Sequence, residues 1–325
     1  MITHTEFFDH GISLVDAMFH RPGCAACYIM ESHGRVAIIE TGTRYSVTHI
    51  FDGLQERALK PDQVDYVIVT HVHLDHAGGA GALMERLPNA KLVVHLRGAR
   101  HMIDPKKLTE GSIVVYGKEA FKATYGKITP IPESRIITAD DEQEIVLGED
   151  RVLKLLDTRG HAKHHLCIWD ERSRGLFTGD SFGLSYREFD QGDHCLIYPA
   201  TTPIQFEPDQ AHSTLDRLHD LHPKWLYLTH FGRLPYRAEL ATTLHRMLDQ
   251  VERFALDHKN AHNRLEVLKD AFRTMMHDEL DRMNSTVSQE MRTHVLEMDV
   301  TINAQGLDVW LSYLEKKGLL PDTTS

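Results

Sequence analysis

The sequence predicts an α/β fold, a four-layer αβ/βα sandwich with a C-terminal helical extension. Three observations carry that prediction. Short apolar runs rich in β-branched residues alternate with amphipathic stretches through the first part of the chain. A second strand-rich stretch, from about Arg135 to Phe177, gives two strand-rich halves, each flanked by helices. From Tyr236 onward the apolar residues recur at the spacing of long helices. The expected domains are therefore 1–235 and a helical 236–325.

Taken in order, residues 12–40 read as several short strands, among them Arg35–Glu40, closed by the turn Thr41-Gly42-Thr43. Val47, Ile50, Phe51, Leu54 and Ala58 then fall at helical spacing across 46–59. Val64–Val69 is short, apolar and β-branched, as suits a buried strand. A polar loop follows, then a helix over about 79–87 that stops before Pro88, a strand at Lys91–His95 and a further helical stretch. In the second half, Arg151–Asp157, Leu166–Trp169, Gly175–Thr178 and Lys224–Thr229 read as strands. Ser181–Pro208 has little periodicity and contains Tyr186, Tyr198, Pro199, Pro203 and Phe206, so it is a substrate-contacting wall or a plain connection. Leu240, Leu244, Met247, Leu248, Val251 and Phe254 form one helical stripe. Leu265, Leu268, Phe272, Met275 and Met276 form another, and Leu311, Leu314 and Leu319 close the chain; all three groups are expected to pack as core.

Composition narrows the function classes. At 325 residues the chain buries a sizeable core, and its net charge of -11 advertises no basic surface for nucleic acid or anionic lipid. The first residues lack a basic stretch followed by a long apolar one, and no run approaches membrane-spanning length, so a cytoplasmic location without membrane attachment is expected. Four cysteines do not make a disulfide framework. Cys24 and Cys27 form a single CxxC, read as buried structural thiols for want of a second pair, and Cys167 reads as core.

The chemistry sits at strand ends. Directly after Val64–Val69, the segment Thr70-His-Val-His-Leu-Asp-His-Ala-Gly-Gly79 places His71, His73, Asp75 and His76 within six positions. The two-residue spacing aims His71 and His73 at one metal, while Asp75 and His76 turn toward a second position. Three further strand ends offer His161, Asp180 and His230. Five imidazoles and two carboxylates suffice for two ions with Asp180 shared and a water retained, an open, catalytic arrangement. Zinc suits this mixture, and iron or manganese accept it as well. With 23 histidines in the chain, isolated ones carry little weight. His164, His165, Asp157 and Thr158 read as structural or as supports for a ligand imidazole, and Lys163 as a solvated lysine.

His71-Val-His73-Leu-Asp75-His76, Gly160-His161, Gly179-Asp180 and Thr229-His230, in this order, resemble the binuclear signature of the metallo-β-lactamase fold superfamily over roughly residues 10–235. Glu40-Thr41-Gly42, Thr158-Arg159-Gly160-His161 and Phe177-Thr178-Gly179-Asp180 are most similar to its glyoxalase II, lactonase and thioesterase-like hydrolases. The resemblance implies the metallo-β-lactamase sandwich, a catalytic domain at 1–235 and a C-terminal appendage that holds substrate or forms a homodimer. It also implies hydrolysis of a small-molecule ester, thioester or lactone by a metal-bridging hydroxide. His71, His73 and His161 would hold one divalent ion, Asp75, His76 and His230 the other, and Asp180 would bridge them, with Asp75 also accepting the nucleophile's proton. Arg159 stands where these relatives often carry proline, a change that bears on the pocket wall.

Other readings stay open at this point. An iron-dependent persulfide dioxygenase shares several ligands, a phosphodiesterase uses similar metals, and a binding or signalling protein could retain the ions without turnover. Nuclease branches with a large insert are disfavoured, because 49 residues separate Asp180 from His230. True β-lactamases are disfavoured as well, because Asp180 stands where they typically carry cysteine.

Overall fold

The computed structural model describes residues 5–320. Seven strands form the first sheet in chain order: β1 (Thr5–Phe7), β2 (Ile12–Asp16), β3 (Ala26–Ser32), β4 (Arg35–Ile39), β5 (Val64–Ile68), β6 (Lys91–His95) and β7 (Ile136–Ala139). Pairing is antiparallel from β1 to β4 and parallel from β4 to β7. The change of sense follows the connections, since parallel neighbours need a crossover. These crossovers are α1 (Val47–Glu56), then α2 (Leu74–Ala77) with α3 (Ala80–Met84), then α4 (Ala99–Ile103), α5 (Lys106–Tyr116) and α6 (Lys118–Tyr125).

The second sheet runs β13-β12-β11-β10-β9-β8, from β8 (Gln143–Leu147), β9 (Arg151–Asp157), β10 (Leu166–Asp170), β11 (Gly175–Gly179), β12 (Trp225–Leu228) and β13 (Gly232–Pro235). Its one parallel pair is β11 with β12, and the chain between them carries α7 (Pro208–Asp220). Three long helices complete the fold: α8 (Ala238–Asp257), α9 (Arg264–Arg282) and α10 (Gln289–Lys317). Two mixed sheets packed with helices give the expected α/β class.

Contacts divide the molecule into two units. The first comprises the chain through Thr158, His164–Gly179 and His222–Tyr236, and so contains both sheets. At its centre, Tyr28 of β3 sets its ring edge-on to Phe177 of β11 and Tyr227 of β12, with centroids 5.2 and 5.5 Å away. All three rings are buried, and burial of each contributes roughly 1.5–3 kcal/mol. A second tie is ionic: buried Arg151 of β9 makes two parallel bonds to Asp170 of β10, at 3.1 and 2.6 Å. It also donates to the carbonyls of His10 and Glu31, which joins the second sheet to the first.

The second unit comprises Arg159–Lys163, Asp180–Leu221 and the chain from Arg237 onward. Leu240, Leu244, Met247, Leu248 and Val251 of α8 and Leu268, Phe272, Met275 and Met276 of α9 are buried, as their spacing predicts. Phe254 meets Phe272 edge-on at 6.4 Å. Leu319 departs from the expected core stripe and is 61% exposed. The cause is the helix end: α10 stops at Lys317 and Gly318 turns left-handed, so Leu319 leaves the helical face.

The helix expected over 79–87 is α3, which runs from Ala80 to Met84. Ahead of it, in the stretch read as a polar loop, stands the short α2, set off from α3 because the Gly79 N–H donates to the Gly42 carbonyl instead of continuing the helical ladder, and the His76 carbonyl accepts from Thr41 N. The strands expected to reach Glu40, Val69 and Thr229 each end one residue sooner. Glu40 turns away with a left-handed φ of 65°, a conformation costly for any residue with a Cβ. Cys24, Cys27 and Cys167 are buried free thiols, and burial pushes the Cys27 thiol well above its ordinary range. Among the described residues no helix is long and apolar enough to cross a membrane.

Candidate metal centre

The loop after β5 leaves the carboxyl end of a parallel strand, the usual place for ligands in such sheets. In the first unit it brings His71, His73, Asp75 and His76 together with His230, which follows β12. His71 Nε2 lies 2.9 Å from His73 Nδ1. One ligand atom each from Asp75, His76 and His230 lies within 4.8 Å of the others.

Hydrogen bonds decide which ring nitrogens carry lone pairs. His230 Nδ1 faces the Cys24 carbonyl at 2.6 Å, and a carbonyl accepts only, so Nδ1 bears the proton. His76 Nδ1 lies 3.0 Å from a carboxylate oxygen of Glu40 and is protonated for the same reason. The Nε2 lone pairs of both rings are thereby aimed at Asp75 Oδ2, 3.3 Å from His230 and 3.7 Å from His76. Lone pairs directed at a carboxylate oxygen repel unless a cation lies among them, so these residues fit a divalent ion.

Glu40 organises this edge, a role the sequence signalled only as a carboxylate at a strand end. It is 1% exposed, and its oxygens accept from Thr70 N (3.2 Å), Thr70 Oγ1, Thr229 Oγ1 (3.1 Å) and His76 Nδ1 (3.0 Å). Because Thr70 Oγ1 spends its proton on Glu40, it accepts from His71 Nδ1 at 3.0 Å and leaves the His71 Nε2 lone pair for a metal. One carboxylate thus sets the tautomers of two imidazoles. Glu40→Ala orphans four buried donors and is expected to destabilise the protein by about 3 kcal/mol. Urea unfolding checks this, and a loss under about 1 kcal/mol would remove Glu40 from that role.

The second unit holds the remaining pair. His161 Nδ1 donates to the Ala200 carbonyl at 3.1 Å, so its Nε2 lone pair points at Asp180 Oδ2, 3.4 Å away. Both side chains are nearly fully buried, and the juxtaposition again fits a cation. They open onto a narrow cleft lined by Arg159, Phe206, Leu215, Leu244 and Leu248. Trp310 of α10 backs Phe206 edge-on at 6.2 Å. The cleft measures about 20 Å³, room for about one water molecule. Ser181–Pro208 supplies Phe206 to its wall.

The supporting residues resolve individually. His165 Nδ1 pairs with Thr158 Oγ1 at 2.9 Å, and the His165 ring stacks on His71 at 4.9 Å, so both position the His71 imidazole from behind. Lys163 pairs with Glu207 at 2.8 Å on the surface. Burial pushes the Tyr116 and Tyr125 phenols up, and the Asp75 charge adds to the shift.

The model of the metallo-beta-lactamase superfamily matches residues 21–230. The metallo-beta-lactamase fold-containing protein ST1585 of Sulfurisphaera tokodaii is 27% identical over 214 residues, 65% of this chain and 74% of its own. Its crystal structure aligns with a TM-score of 0.64 at 22% identity, covering 92% of this chain and 98% of the other. An N-acyl homoserine lactonase of Bacillus thuringiensis is 24% identical over 229 residues, 63% of this chain and 79% of its own. An acyl-coenzyme A thioesterase, MBLAC2 of Gallus gallus, is 26% identical over 188 residues, 54% of this chain and 66% of its own.

Proposed function

Because the chain belongs to the metallo-beta-lactamase superfamily, we propose that it is a hydrolase of a carboxylic ester, thioester or lactone that works with two divalent cations, zinc by ligand chemistry. The observation that carries this reading is the aim of the His76 and His230 lone pairs at Asp75 Oδ2. The lactonase and thioesterase among the relatives support the substrate class. In the superfamily's ligand order, His71, His73 and His161 would hold one ion and Asp75, His76 and His230 the other, with Asp180 shared. Such ions would make a hydrolytic nucleophile available near neutral pH and polarise the scissile carbonyl.

The chain's own residues do the rest. Asp75, the most exposed of the carboxylates here with 23% of its side chain open, accepts the nucleophile's proton and returns it to the leaving group. Glu40, Thr158 and the Ala200 and Cys24 carbonyls keep the imidazoles oriented. We assign the catalytic part to 1–235 and the substrate-side helices to 236–325.

The test is catalytic. Zinc- or manganese-loaded protein is expected to cleave at least one member of a thioester, ester and lactone panel without consuming oxygen, and Asp75→Asn to lower that activity by roughly a hundredfold. Phosphodiesters and glutathione persulfide complete the panel. Iron-dependent oxygen uptake with the persulfide would replace this reading with a dioxygenase, and inactivity toward every class with every metal would replace it with a binding protein.

A further inference from the structure

Away from that centre, helices α7 and α8 bring His212 and His245 together with their Nδ1 atoms 2.7 Å apart. Their planes are within 14° of parallel and their centroids 4.9 Å apart. Each ring turns its other nitrogen to a carboxylate: His212 Nε2 lies 3.3 Å from Asp249 Oδ1, and His245 Nε2 lies 3.2 Å from Asp216 Oδ1. An ionised carboxylate has no proton to give, so each neutral ring carries its proton on Nε2. Both Nδ1 lone pairs then face each other at hydrogen-bonding distance, an arrangement that repels unless positive charge sits between them.

A shared proton or a metal ion would supply that charge, and the surroundings favour the larger one. Asp216 and Asp249 face the two rings, and Glu252 feels the same group of charges: burial and then Asp209 push its carboxyl up, His212 pulls it down, and Asp249 adds to the rise. Such an excess of negative charge is better met by a dication than by one proton. A carboxylate on the far nitrogen is also the arrangement that orients metal-bound imidazoles generally.

We propose that His212 and His245 hold a divalent transition-metal ion of the zinc or copper class through their Nδ1 atoms, separate from the catalytic centre. Metal–nitrogen distances near 2.0–2.1 Å in a tetrahedral sphere put two ligand nitrogens about 3.3 Å apart, so the rings need to part by roughly 0.6 Å. Side chains 24% and 29% exposed have the rotamer freedom to do so, and water fills the open positions. The ion pins α7 to α8. That matters to the catalytic side, because Thr214 of α7 donates to the Arg159 carbonyl at 2.6 Å and a Cβ on Gly160 would strike the Ala211 backbone. The loop bearing His161 therefore rests on the pinned helix.

Protein saturated with zinc and freed of excess should contain one more equivalent than His212→Gln or His245→Gln by elemental analysis. With the other sites kept in zinc, added Cu²⁺ should give an electron paramagnetic resonance signal with imidazole nitrogen coupling that both variants lose. Asp216→Asn and Asp249→Asn should weaken this equivalent about tenfold. Far-UV circular dichroism identifies the variants that keep the fold, and His212→Asn and His245→Asn stand in for any that do not. Equal metal content in parent and folded variants overturns the proposal. So does a ¹⁵N-histidine spectrum of zinc-treated protein in which one Nδ1 still carries a proton.

Discussion

Asp180→Ala is expected to lower hydrolytic turnover by roughly a thousandfold, about 4 kcal/mol of barrier, and to weaken the occupancy of both proposed ions. The residue follows directly on Gly179 at the end of β11, is 6% exposed, and stands 3.4 Å from His161 Nε2. A buried carboxylate in that position either neutralises cationic charge or is itself an uncompensated charge, and the former is far less costly. Asp180→Asn separates charge from volume, since it keeps the shape and removes the anion. Turnover per enzyme and metal content by elemental analysis are the two measurements. Full activity in either variant would take Asp180 out of the mechanism, and loss of activity with both metals retained would restrict it to the chemical step.

The candidate ligand pattern was legible because its residues are bound to strand ends, and strand ends are marked by where alternation stops. Lys91–His95 and Arg151–Asp157 were readable to the residue for the same reason. Glu40 lay in view at the end of β4, yet its task depends on Thr70, Thr229 and His76, up to 189 positions away, and no local pattern encodes that convergence. Helix α2, inside the stretch read as a loop, was hidden likewise, since its separation from α3 rests on Gly79 N bonding to Gly42. Helix α10 was visible only at its end, because its 29 residues bury faces too scattered for one stripe: Arg292, Asp299 and Asn303 are buried beside Leu296 and Leu307.

Gly306→Ala is expected to destabilise the protein by about 3 kcal/mol, with an added cost to turnover beyond the unfolded fraction. A Cβ at Gly306 would overlap the Thr201 carbonyl oxygen and stand 2.7 and 2.8 Å from the carbonyl carbons of Thr201 and Thr202. Neither side yields easily. Thr201 Oγ1 donates to the Asn303 carbonyl at 3.0 Å, Thr201 N donates to Asn303 Oδ1, and all of these groups are buried. Ala200, one residue earlier, accepts the proton of His161 Nδ1, so displacing this segment from α10 also loosens a proposed ligand. Gly111→Ala in α5 is the control, because a Cβ there meets nothing within 4 Å and should be neutral or mildly stabilising. Denaturant midpoints and turnover of the two variants check the contrast. Equal stability would mean that α10 accommodates the methyl without moving the Ala200 segment.

The convergence of Asp75 and His76 with His230 joins positions about 155 residues apart in the chain. An ion held there acts as a removable cross-link that closes a loop of that length, so folding and metal uptake become linked equilibria. Free metal at a thousand times its dissociation constant adds about 4 kcal/mol to stability. Part of that gain is returned, because His71, His73, Asp75 and His76 are neighbours in sequence and remain a partial chelator when the chain is unfolded. With the proposed ion bound there, the ambient metal concentration would be a variable of this protein's lifetime as well as of its chemistry.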